Sequence, residues 1–104
     1  MKTLRFVGSS LRDLRNFPDA ARREAGFELD VIQRGLMPSD FKPMFGIGPG
    51  VYEIRIHVQG EWRVIFVAKR TDAVYVLHAF AKKTQKTRRE DVALAIHRYS
   101  QIGD

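Results

Sequence analysis

The sequence has no cysteine. Disulfide staples, thiolate nucleophiles and thiolate metal sites are therefore excluded, and packing alone must hold the chain together. Long apolar runs are missing too. Nothing approaches the roughly 20 apolar residues of a spanning helix, and the apolar stretch in MKTLRFVGSS is too short for a signal peptide. A cytoplasmic location without membrane attachment is the expectation. The three histidines lack H-x-H or HExxH spacing, so no metal site and no cofactor is expected. GIGPG (46–50) has glycines but no following GK[ST], which makes it a turn and not a phosphate loop. Acid is also short. Asp and Glu number 12 against 18 Lys and Arg, giving a net charge of +6 and a pI near 10.1. That balance favours a polyanionic partner: nucleic acid, the ribosome or an acidic protein. The duller reading is a solvated basic surface, so the placement of the charge has to decide.

What is present fits one domain over residues 1–104, with 44% hydrophobic and 11% aromatic residues. TLRFV (3–7) reads as a short strand. Ser10 with Asp13 reads as a capped short helix. A second helix is expected from about Ala20 to Arg34, with Ala21, Ala25, Leu29 and Ile32 at helical spacing and Gly35 ending it. MPSDFKPMFGIGPG (37–50) reads as a long loop. Three strand-like runs follow: VYEIRIHV (51–58), EWRVIFVA (61–68) and VYVLHAF (74–80). Thr87 and Glu90 form a T-x-x-E capping box for a last helix, whose apolar positions are Val92, Ala95, Ile96, Tyr99 and Ile102. The order β-α-α-β-β-β-α is an α+β plan, with a mainly antiparallel twisted sheet, two N-terminal helices on one face and a C-terminal helix.

Strand alternation places the chemistry. One face collects Tyr52, Ile54, Ile56, Val58, Trp62, Val64, Phe66, Ala68, Tyr75, Leu77 and Ala79, which carry no charge. The other face carries Glu53, Arg55, His57, Glu61, Arg63 and His78, with Ile65, Val67, Val74, Val76 and Phe80. A three-residue loop Val58-Gln59-Gly60 pairs Arg55 with Arg63. A four-residue turn over 69–72 then puts Arg63 opposite His78. Like charges facing each other are unfavourable on a sheet, unless Glu53 and Glu61 or a bound phosphate relieve them. Just past His78 comes KKTQKTRR (82–89), five basic residues in eight with no acid. Lys82, Lys83, Lys86 and Arg88 can close a cationic rim, and the amide end of the last helix adds to it. The charge converges on one concavity that suits phosphates. Arg63 lies off the apolar face, so its replacement by alanine is expected to leave folding normal.

The stretches KPMFGIGPGVYEIRI, EWRVIF and HAFAKKTQKT followed by a helix resemble the RelE/ParE superfamily of toxins, and more narrowly its phage-derived HigB-like subgroup. The resemblance covers nearly the whole chain in order and length. It departs at Glu53, where some RelE members carry a basic residue. It implies a cytosolic type II toxin with a cognate antitoxin, commonly a helix-turn-helix protein, and metal-independent cleavage of mRNA in the ribosomal decoding site. On that basis Arg55, Arg63, His78 and Lys82 are the catalytic candidates, and Lys83, Lys86 and Arg88 the RNA-binding ones. His78 and Glu53 are alternative proton carriers. A ParE-like inhibitor of DNA gyrase shares the fold, and a non-catalytic basic nucleic-acid-binding module is the reading from another class.

Overall fold

A computed structural model describes residues 1–68 and 72–102. Its elements are β1 (Thr3–Phe6), α1 (Ser10–Arg15), α2 (Asp19–Gln33), β2 (Phe41–Pro43), β3 (Val51–Ile56), β4 (Trp62–Val67), β5 (Ala73–Ala81) and α3 (Arg89–Ser100). They build one five-stranded sheet in the order β1-β5-β4-β3-β2. Among the described residues only the β1–β5 pair is parallel. Of the expected four-residue turn over 69–72, Lys69, Arg70 and Thr71 lie outside the described residues.

The α2 stripe behaves as its spacing dictates. Ala21, Ala25, Leu29 and Ile32 are all buried, packed with Leu14 and Phe17 against Ile54, Ile56, Val64 and Phe66 of the sheet. Each large side chain buried this way contributes roughly 1.5–3 kcal/mol. The helix ends at the expected glycine. Gly35 has φ +87°, its N–H reaches the Ile32 carbonyl, and the Leu36 N–H reaches that of Val31. This is the double bond of a Schellman ending, open to a residue in the left-handed region. The first hairpin also follows the sequence: Arg55 faces Arg63, and Gln59 (φ 55°) and Gly60 (φ 120°) make its turn.

The third strand departs from simple alternation. Phe66 pairs with Val76 but Ile65 pairs with His78, so Leu77 is an extra residue in β5. A bulge of this kind flips side-chain parity beyond it. Val74 and Val76 therefore join the core under α1 and α2, while Tyr75 and Leu77 join the opposite core with Ile47, Val51, Ile65, Val67 and Ala95. The expected assignment of these four β5 residues is reversed. So is the expected pairing of Arg63 with His78, because Arg63 faces Phe80.

Helix α3 covers that second core, and the bulge explains how it is pinned. Arg98, buried, donates from Nη1 to the Leu77 carbonyl and from Nη2 to Ser9 Oγ, both at 2.9 Å. Its guanidinium lies so close to Gly8 that a Cβ there would sit 2.7 Å from Nε. Ile96, expected inward, is exposed instead. Replacing Arg98 with alanine leaves a carbonyl without its donor and opens a hole between α3 and α1. A loss of about 2–4 kcal/mol in chemical denaturation is expected. Neither expected capping box forms. Ser10 is buried and donates to the Val76 carbonyl, and Thr87 donates to Glu53.

Candidate phosphate site

The charged face is ordered in three rows across the sheet. The first holds Lys42, Glu53, Ile65 and His78. The second holds Arg55, Arg63 and Phe80, with Asp40 at its β2 end because its carbonyl accepts the Arg55 N–H. The third holds His57, Glu61 and Lys82, closed by the Lys82 N–H donating to the Glu61 carbonyl. Lys42 and Asp40 come from the segment expected to be a loop. β2 has only three residues and ends in a proline, which an edge strand tolerates because that N–H has no partner to lose.

At the bottom lies Glu53, completely inaccessible to solvent. The Thr87 hydroxyl donates to its Oε2 at 2.8 Å. Arg63 Nε is 3.8 Å from its Oε1 and Lys42 Nζ is 4.0 Å away. Glu53 is thus the buried counter-charge that lets cations gather above it, which a carboxylate open to substrate protons would not be. Arg63, only 5% exposed, also donates from Nη1 to the Trp62 carbonyl (2.9 Å) and to Glu61 Oε1 (3.1 Å). Arg55, more open, donates from Nε to Asp40 Oδ1 at 2.9 Å. The two arginines lie on one face, opposite one another, and Lys82 stands beside them. Burial, and after it the charge of Arg63, hold the Lys82 ammonium below its ordinary pKa, with Lys42 and Arg55 adding and Glu53 opposing.

His78 sits one row from the arginines, not in their row. Its Nε2 is 2.7 Å from Asp91 Oδ1, its ring stacks on Phe80 at 4.6 Å, and Ile65 separates it from Glu53. Its visible role is to fasten α3 to the sheet. Lys83, Lys86 and Arg88 are exposed on the segment leading into α3. Arg88 caps that helix in extended backbone, and Glu90 and Asp91 occupy its first turn. His57, which sequence alone reads as a solvated strand end, bridges two carboxylates: Glu61 at 2.8 Å from Nδ1 and Asp40 at 2.6 Å from Nε2. Among the described residues, no three His, Asp or Glu side chains converge as a metal-binding group.

Such a face can do one thing well. It offers several cations, preorganised by buried and half-buried carboxylates, to a group carrying negative charge on closely spaced oxygens. A phosphodiester is one such group.

Comparison with known proteins agrees with the fold. The free-state structure of an arginine-to-alanine double mutant of the E. coli toxin RelE matches with a TM-score of 0.69, over 93% of this chain and 96% of that chain. Identity is 16%, so the likeness speaks for the α+β architecture. No curated protein sequence matches the chain. The family of phage derived proteins termed Gp49-like (DUF891) matches over residues 12–100, and this chain, with its RelE-like fold, belongs to that family.

Proposed function

We propose that this chain is the toxin of a type II toxin–antitoxin system, of HigB-like kind within the RelE/ParE superfamily, and that it cleaves mRNA in the ribosomal decoding site without a metal. The Gp49-like family and the RelE-like fold support a toxin of this type. The observation that carries the nuclease reading is the Arg55–Arg63 pair on one face beside Lys82 and Lys42, anchored from below by Glu53. Metal-free cleavage of RNA uses the 2′-hydroxyl to attack the adjacent phosphate. Arg55 and Arg63 take the charge that grows on the phosphate oxygens. The 2′-hydroxyl releases its proton to water as its oxygen bonds to phosphorus, the bond from phosphorus to the 5′-oxygen breaks, and Lys82, whose proton is loosened by burial and then by Arg63, protonates that leaving oxygen. Lys83, Lys86 and Arg88 hold flanking phosphates, and His78 keeps α3 in place.

Orientation of the mRNA by the ribosome would supply much of the barrier reduction. The site of action is then the cytoplasm, and among the described residues no helix is long and apolar enough to cross a membrane. The partner that silences the toxin is a cognate antitoxin of helix-turn-helix type. Induced expression followed by mapping of mRNA ends tests the reading. Cuts inside translated codons support it. Intact mRNA with arrested DNA replication points to gyrase instead, and unimpaired growth to a binding module.

A further inference from the structure

The face holds a chain of charges that phosphate binding alone does not require. Arg55 Nε meets Asp40 Oδ1 at 2.9 Å, and Asp40 Oδ2 meets His57 Nε2 at 2.6 Å. His57 Nδ1 meets Glu61 at 2.8 and 2.9 Å, and Glu61 Oε1 meets Arg63 Nη1 at 3.1 Å. Cation and anion alternate along all five residues. The two ends of the chain are the two arginines that face each other across β3 and β4.

Hydrogen-bond chemistry sets the state of the middle member. A carboxylate only accepts, and a neutral imidazole has a single N–H. A ring with a carboxylate at hydrogen-bond distance from each nitrogen satisfies both only as imidazolium. We propose that His57 is a positioning residue for phosphate binding: as a cation it holds Asp40 with one nitrogen and Glu61 with the other, which fixes both arginines at one spacing and keeps the half-exposed Arg55 guanidinium turned to substrate above the buried Arg63. The proposal rests on the nuclease reading and adds a residue and a pH response to it.

When His57 loses its proton, one of the two carboxylates loses its donor. That carboxylate can turn onto its own arginine and occupy the guanidinium edge that the phosphate needs. Asp40 and Glu61 favour the imidazolium and burial opposes it; Lys82, Arg55 and Arg63 are the like charges on the same face. The balance is favourable. The hydrogen bond to Asp40, and next that to Glu61, raise the His57 pKa above its ordinary value. The same contacts with His57 are the largest causes lowering the pKa of Asp40 and of Glu61. The sign follows. The intact chain is fully present below the ordinary imidazole pKa and is lost as pH rises through the raised one. At the acid end it persists above the ordinary carboxylate range and is lost as pH falls through the lowered pKa values of Asp40 and Glu61.

Two measurements test this together. The first is an NMR titration of the His57 ring in the free protein, with and without Asp40→Asn. The second is single-turnover cleavage of mRNA on programmed ribosomes between pH 6 and 8.5, each variant taken as a ratio to wild type so that the ribosome's own response cancels. The expected NMR result is a His57 pKa above 6.5 that falls in Asp40→Asn. His57→Ala is expected to cut the neutral-pH rate by roughly 10²-fold, the scale of a mispositioned group, and to lose the alkaline limb. His57→Lys keeps the charge, restores most of the rate and moves the limb beyond the range. A His57→Ala protein with wild-type rate and limb would overturn the proposal while leaving the nuclease standing. An unshifted His57 pKa would overturn it as well. A wild-type protein that cuts no mRNA, yet shows the raised and Asp40-dependent His57 pKa, would end the nuclease reading and keep the charge chain.

Discussion

Arg63→Ala is expected to lower the stability of the fold by about 3–5 kcal/mol, the cost of removing one partner from a buried ion pair. Position alone suggests otherwise, since Arg63 lies off the apolar face. The structure shows why that expectation reverses. The face is not a wet one at this point: Arg63 is 5% exposed and Glu53 beneath it is fully enclosed. Without the guanidinium, the Glu53 carboxylate keeps, among the described residues, only the Thr87 hydroxyl and Lys42 at 4.0 Å. The Trp62 carbonyl and Glu61 lose a donor at the same time. Glu53→Gln in the Arg63→Ala background removes the stranded charge and is expected to recover much of the loss. Urea denaturation of the two single variants and the double variant measures the coupling as a cycle. Full additivity would show that the two side chains do not sense each other.

Lys82→Ala carries the largest expected effect on activity, a fall of roughly 10²–10³ in cleavage rate, the usual cost of losing one preorganised donor to transition-state charge. Its effect on stability is expected to be small or favourable. Burial and then Arg63 depress the Lys82 pKa, so its charged form is held at a cost to the fold below that pKa. Removing it relieves the crowd. This makes Lys82 a cleaner probe of chemistry than Arg63, whose loss mixes folding with function. Lys82→Arg separates two roles. An arginine restores charge but gives up its proton far less readily, so a rate that stays low marks proton donation, and a restored rate marks electrostatics alone. Single-turnover rates, with melting curves alongside, decide.

Much of this could be read from residues alone, and the failures have physical causes. The α2 stripe was legible because four apolar residues at helical spacing allow one buried side. The Arg55–Arg63 register was legible because Gly60 permits a positive φ where the turn needs one. The β5 register was not. A bulge inserts one residue, and a pattern of alternating polarity cannot reveal an insertion between Val76 and His78. Helix α3 was misread at Ile96, and Arg98 went unnoticed, for a connected reason: the carbonyl of the bulged Leu77 is what draws the Arg98 guanidinium inward. β2 was hidden by its three-residue length and its proline, and with it Lys42 and Asp40. His57 was visible but underrated, since its worth depends on Asp40 reaching it from that unseen edge. Thr87 was read as a helix cap because a T-x-x-E pattern carries no information about a buried Glu53 nearby.

The central claim is that a cationic face built on Arg55, Arg63 and Lys82 cleaves RNA through the substrate's own 2′-hydroxyl. The most direct measurement is end-group analysis of mRNA cut on programmed ribosomes, paired with a message carrying a single 2′-deoxy substitution at the cleaved nucleotide. Products bearing a 5′-hydroxyl and a 2′,3′-cyclic or 3′-phosphate, with no cut at the substituted position, are predicted. A 5′-phosphate with a 3′-hydroxyl, or cleavage that ignores the missing hydroxyl, would contradict it.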